Sequence, residues 1–221
     1  MTPDTPPTGT RAGFVAVIGA PNAGKSTLVN RLTGSKVSIV TQKVQTTRFP
    51  VRGIVMDGQT QMVLVDTPGI FNPRRRLDRA MVASAWEGAE EADAVVHLVD
   101  TSAQMAIGEG KGSPADRRSV EDVETIIQAL KGRDSKAILA LNKIDGLKRE
   151  SMLKVMTELF NTGVYSDVFL ISAATGDGVL DLKAHLSGLM PESPWLYPED
   201  QSADLPLRVL AAEITREKVF L

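Results

Sequence analysis

Short apolar runs alternate with segments of helical period along most of the chain. The runs fall at 14–18, 51–56, 61–65, 94–99, 137–141 and 168–171. Each has the length and character of a strand buried on both faces. Between them the spacing predicts helices over 25–33, 77–87, 149–160 and 179–190. Val120, Val123, Ile126, Ile127 and Leu130 fall on one face of a further helix. Asp57-Gly58 separates the second and third runs, a strong hairpin signal, so that pair is expected to be antiparallel. Strand alternating with helix predicts an α/β fold with a mainly parallel, doubly covered sheet and one antiparallel strand. Residues 35–48 are polar, and the Gly-rich stretch 108–113 reads as a flexible surface loop.

Punctuation divides the chain. Residues 1–12, rich in Pro and Thr and lacking the apolar core of a signal peptide, read as a disordered tail on a cytoplasmic protein. One α/β domain is expected over 13–190. Pro191, Pro194, Pro198 and Pro206 make 191–206 a linker. Residues 207–221 start an element too short to bury a core of its own. Either that piece packs on the first domain or it opens another. The composition adds exclusions. With no cysteine, disulfides, thiolate metal sites and thiol catalysis are ruled out. A net charge of −2 gives no electrostatic reason for strong nucleic-acid binding by this stretch alone.

The chemistry begins at Gly19-Ala20-Pro21-Asn22-Ala23-Gly24-Lys25-Ser26, a G-x-x-x-x-G-K-S phosphate loop between the first apolar run and the first helix. Small residues let backbone N–H groups turn inward around a triphosphate at the positive end of a helix. Lys25 brings a point charge to the β- and γ-phosphates, Ser26 a hydroxyl to Mg²⁺, and Thr27 lies in the same turn. Asp66-Thr67-Pro68-Gly69 follows the strand ending at Val65. A carboxylate at a strand's carboxyl end can hold Mg²⁺ through water. The Gly69 N–H can meet a γ-phosphate oxygen, and Ile70 follows directly. Within Gln45-Thr46-Thr47-Arg48, a threonine hydroxyl can complete the Mg²⁺ shell only when a γ-phosphate is present. Thr47 is favoured over Thr46. Lys25, Thr47 and Gly69 are the expected catalytic groups.

Two later segments point to guanine. Asn142-Lys143-Ile144-Asp145 follows the run ending at Leu141. A carboxylate accepts two adjacent hydrogen bonds, which guanine offers from N1–H and its N2 amino group and adenine does not. Asp145 is the expected reader, Asn142 the partner of N7 and brace of the loops, and the Lys143 stem a cover for the purine face. In Ser172-Ala173-Ala174, small residues let a backbone N–H, that of Ala173 above all, approach guanine O6.

These five segments, in this order, resemble those of the translation-factor class of GTPases. Gly19–Leu28, Gln45–Arg48, Asp66–Gly69, Pro198-Glu199-Asp200 and Glu213-Ile214-Thr215-Arg216-Glu217-Lys218 resemble the Era family of small-subunit ribosome assembly. That resemblance implies a GTP/GDP switch using Mg²⁺, monomeric, with ribosomal RNA of the 30S subunit bound by a C-terminal KH-type domain and peripheral association with the inner membrane. Residues 207–221 would begin that domain, although no G-x-x-G clamp loop follows the linker. Residues 105–114 are longer than the family pattern.

Two positions qualify the chemistry. Ras-type enzymes place a water-orienting glutamine just after Asp-x-x-Gly; here Ile70 stands there, so intrinsic hydrolysis is expected to be slow. Asn22 either shapes the loop or, as in some GTPases with this loop, binds K⁺. His97 and His185 read as structural or solvent-facing. Competing assignments are an ATP-using P-loop enzyme, which has no need of Asp145, another ribosome- or tRNA-linked GTPase, and a nucleotide-binding scaffold with negligible turnover.

Overall fold

A computed structural model of the chain describes residues 9–38, 51–71, 76–132 and 136–204, together with Thr215. The elements follow the order β1 (Arg11–Ile18), α1 (Lys25–Thr33), β2 (Val51–Asp57), β3 (Thr60–Asp66), α2 (Arg76–Glu90) and β4 (Ala94–Asp100). Then come α3 (Thr101–Gly108), α4 (Pro114–Lys131), β5 (Ala137–Asn142), α5 (Arg149–Phe160), β6 (Tyr165–Leu170) and α6 (Val179–Leu189). Gln45, Thr46, Thr47 and Arg48 lie outside the described residues, as do residues 1–8 and almost all of 207–221.

The sheet order is β2-β3-β1-β4-β5-β6, with only the β2–β3 pair antiparallel. Strand alternation divides the core in two. Val15 and Val17 of β1 face one cluster with Leu28, Val29 and Leu32 of α1 and Leu182 and Leu186 of α6. Ala16 and Ile18 face the other, with Ala85 of α2, Ile126 and Leu130 of α4 and Val155 of α5. Both faces of the sheet are thus covered, which explains why its strands read as continuous apolar runs. Each fully buried Leu or Ile contributes about 1.5–3 kcal/mol.

The starts of two strands, β1 and β6, lie earlier than the sequence expectation. Strand β1 begins at Arg11, so residues 11 and 12 belong to the sheet rather than to a tail. β6 begins at Tyr165 rather than 168, because Tyr165 is buried and its hydroxyl lies 2.8 Å from His97 Nδ1. Desolvation lowers the His97 pKa to about 3, so the ring is neutral and structural. His185 of α6 lies 3.4 Å from Asp167 and stacks near Phe169.

Residues 101–108, for which the sequence pattern predicts no helix, form α3, capped by the Asp100 carboxylate on the Ala103 N–H. The expected loop at 108–113 is a hydrogen-bonded turn, with Lys111 N–H on Ala106 O at 2.8 Å and Gly110 N–H on Ile107 O at 3.0 Å. It leads into α4, whose start is a Ser113–Asp116 capping box.

The Pro-rich segment is docked along the β2–β3 side of the sheet. Gln61, fully buried, accepts the N–H groups of Leu196 and Tyr197 at 2.8 and 2.9 Å and donates to Tyr197 O at 2.8 Å. Ala203 then pairs with Gly53 of β2. Among the described residues no helix is long and apolar enough to cross a membrane.

Candidate nucleotide-binding site

Three strands of the sheet end on polar residues at one edge: β3 on Asp66, β4 on Asp100 and β5 on Asn142. β1 ends between β3 and β4, where the chain moves from one side of the sheet to the other. That is the place where open α/β sheets form a crevice for ligands.

The loop after β1 fills this edge tightly. Gly19 (φ +155) has no room for a Cβ against the Leu98 carbonyl, and Gly24 (φ +103) has none against the Asn142 amide. Asn22 is also left-handed, with φ 62, a conformation asparagine tolerates better than most residues. Lys25 opens α1 and is buried. Its ammonium donates to Gly19 O at 3.1 Å and Ala20 O at 2.9 Å. Burial lowers its pKa from 10.5 to about 8, and the charges of Asp66 and Asp122 oppose the shift. Ser26 and Thr27 complete the first turn of the helix, where backbone N–H groups lack intrahelical acceptors.

Asp66 is fully buried at the end of β3. The next residues are held against the loop after β1. The Thr67 hydroxyl donates to Val17 O at 2.8 Å, so its side chain serves the sheet. A Cβ added to Gly69 would lie 3.0 Å from Pro21 Cα and N, so glycine is what lets these two loops touch. Ile70 departs from its expected place among ligand contacts. Its N–H donates to Gly19 O at 3.0 Å and its side chain is buried with Ile18, Ala85 and Val99.

The other half of the edge is joined by side chains. Asn142, buried, donates from Nδ2 to Ala23 O at 2.8 Å and accepts the Ala173 N–H at 2.9 Å through Oδ1. One amide therefore ties the phosphate-type loop to Ser172-Ala173-Ala174. The Ala173 N–H, expected to face a base, is occupied by this bond. Ser172 donates its hydroxyl to Asp145 Oδ1 at 2.5 Å, which fixes one oxygen of an otherwise exposed carboxylate. Lys143 (φ 63) reaches Asp100 Oδ2 at 2.5 Å. Its charged head is thereby anchored to the cap of α3.

The structure brings together residues 19–27, 66–70, 142–145 and 172–174. Two contributors escaped the sequence. Asp100 carried a readable signal, since it closes a buried strand just as Asp66 and Asn142 do. Arg31 carried none. It lies beyond the motif in α1, yet its guanidinium donates to Ala173 O at 3.2 Å and to Ala174 O. The edge can therefore cradle an anion between backbone N–H groups and Lys25, and present a fixed carboxylate to paired donors.

Comparisons with known proteins agree with this geometry. Residues 14–143 match the family described as 50S ribosome-binding GTPase. GTPase Era of Caulobacter vibrioides is 70% identical over 212 residues, covering 96% of this chain and 67% of that protein. GTPase Era of Maricaulis maris is 58% identical, covering 99% and 68%. The chain thus spans about two thirds of the length of the curated relatives it matches.

Among solved structures, Era in complex with MgGDPNP and nucleotides 1506–1542 of 16S ribosomal RNA superposes with a TM-score of 0.81 at 36% identity, over 95% of this chain and 67% of that one. A variant of Aquifex aeolicus Era bound to GDP·AlF4⁻ gives 0.80 at 36% identity, with the same coverage. With this similarity, this fold and these motifs, the chain belongs to the Era family of GTPases.

Proposed function

We propose that this chain binds GTP with Mg²⁺ at the carboxyl edge of its sheet, hydrolyses it slowly, and acts as a switch in assembly of the small ribosomal subunit. The observation that carries the reading is the Asn142 bridge. It joins the anion-type loop to the loop that braces Asp145, so that triphosphate and guanine are recognised by one rigid unit. In this reading the N–H groups of residues 19–26 hold the phosphates. Lys25 exchanges the carbonyls of Gly19 and Ala20 for phosphate oxygens, and the Gly69 N–H meets the γ-phosphate. Asp145 accepts guanine N1–H and the N2 amino group. Because Asn142 occupies the Ala173 N–H, the donor to O6 is assigned to Ala174.

The residues fit Mg²⁺. A helix-first-turn hydroxyl (Ser26) and a buried carboxylate (Asp66) are hard oxygen donors, and Mg²⁺ characteristically takes few protein ligands and keeps phosphates and waters. Thr47 is the third proposed ligand, in the triphosphate state. When bound, the ion would neutralise charge developing on the phosphates. With its side chain in the core, Ile70 itself offers no group to orient water, which supports a low intrinsic rate resting on positioning and electrostatics.

Asn22, exposed in the left-handed region, is proposed as a ligand for K⁺. Faster turnover in potassium than in sodium buffer is the expected result, and equal rates would remove that role. The RNA partner is carried over from the solved relative: we assign 16S ribosomal RNA to this protein through the KH-type domain that the resemblance implies. The test of the nucleotide is competition. Excess ATP should leave labelled GTP bound while GDP displaces it, with phosphate released on prolonged incubation. Displacement by ATP overturns the guanine assignment.

A further inference from the structure

We infer that Arg31 is a positioning residue for guanine selectivity. The inference rests on the proposed reading of Asp145 as the guanine-reading group.

Arg31 lies in the last turn of α1, the helix whose first turn carries Lys25 and Ser26. A cation there suits the negative end of any helix, which is the bland account of it. Its contacts go further. Nε donates to Ala173 O at 3.2 Å, and Nη2 donates to Ala174 O. Gly176 (φ +97) lies against the guanidinium, since a Cβ there would be 3.7–3.8 Å from it. One rigid fork thus holds two consecutive carbonyls, a geometry guanidinium supports and an ammonium does not.

Peptide planarity converts that grip into aim. In a trans peptide the C=O and the following N–H point to opposite sides, and no cis peptide occurs among the described residues. Holding Ala173 O on the α1 side turns the Ala174 N–H away from α1. Holding Ala174 O fixes the next unit, whose Thr175 N–H donates to Ser172 Oγ at 3.0 Å. Ser172 in turn donates to Asp145 Oδ1 at 2.5 Å. A hydrogen-bonded chain therefore runs from Arg31 through the Ala174–Thr175 peptide and Ser172 to the carboxylate. Arg31 touches no nucleotide atom in this scheme. It sets the orientation of the two groups, the Ala174 N–H and Asp145, that read the base.

The test compares guanosine and inosine diphosphates, because inosine lacks the 2-amino group that Asp145 reads. Dissociation constants are measured for the wild type, Arg31→Ala, Arg31→Lys and Asp145→Asn, alongside thermal melts. Arg31 is itself exposed, so solvent screening limits the effect: Arg31→Ala should weaken GDP about three- to tenfold and lower the GDP/IDP affinity ratio. Arg31→Lys should restore part of that ratio. KM for GTP should rise, with kcat at saturation within about twofold, as expected when binding alone is lost.

A folded Arg31→Ala protein whose GDP and IDP affinities are unchanged, or fall in equal proportion, overturns the inference. If Arg31→Ala does not fold, Arg31→Lys decides by the same ratio. If Asp145→Asn leaves the ratio unchanged, the underlying reading of Asp145 fails instead. A ratio that collapses in Asp145→Asn but not in Arg31→Ala removes Arg31 alone.

Discussion

The base-reading and phosphate-holding halves of the candidate site are built on opposite principles. At the base end, Asn142, Ser172, Asp145, Lys143 and Arg31 find their partners within the protein. That end is held together by the protein's own contacts, which leaves only outward-facing groups to read a base. At the phosphate end, Lys25 and the Ile70 N–H both converge on Gly19 O, with Lys25 also on Ala20 O. In the proposed reading Lys25 exchanges these partners when a triphosphate enters. The difference teaches where selectivity and sensing reside. A preassembled network discriminates because nothing rearranges to accommodate a wrong base. A cluster that changes partners is suited to reporting which phosphate is present.

The strongest challenge to this division is Lys25→Ala. Losing the buried charge should cut GTP hydrolysis about 10²–10³-fold, while the GDP/IDP ratio stays at the wild-type value. Measured turnover and the two diphosphate affinities check it together, and a ratio that collapsed with the rate would show that the halves are not separable.

Next in size is a pH effect. Burial disfavours the Lys25 charge and lowers its pKa to about 8. A bound phosphate favours that charge and raises the pKa, so binding takes up protons above pH 8. GDP affinity should therefore fall as pH rises, by about tenfold near pH 9 by proton linkage. Titration calorimetry across that range reads it. The same decline in Lys25→Ala would assign it to another group.

The smallest effect on chemistry is expected at Ile70. Ile70→Ala opens a cavity in the α2 side of the core and should cost about 2–5 kcal/mol of stability by denaturant unfolding. Turnover should remain within a few-fold at a temperature where the variant is folded. A hundred-fold loss would mean that Ile70 does more than pack.

The sheet was legible because burial on both faces writes itself as apolar runs. Asp57-Gly58 announced the hairpin, although Asp57 itself closes β2 and the two-residue turn is Gly58-Gln59, where Gly58 takes the positive φ of 59. Helix α3 escaped because it is short and begins directly after the final residue of β4, leaving no loop to mark it. Only the structure shows what α3 does, namely present Asp100 to Lys143. The linker was legible as Pro-rich, but its docking was not. That depends on Gln61, a polar residue in an apolar run, whose buried amide is satisfied by chain 136 positions away. A pattern of local spacing carries no trace of such a partner.

By itself, the sequence determined the chemistry of the edge: small residues for close approach, Lys25 for charge, Asp145 for paired donors. Those are properties of residue types in a local order, and local order is what a motif records. The tertiary structure alone decided which backbone donors remain outward. Asn142 takes the Ala173 N–H, Gly19 takes the Ile70 N–H, and Arg31 orients the Ala174 N–H. Every backbone N–H looks alike in a sequence, and only the packing of distant segments settles which are spent inside the fold and which are left for a ligand.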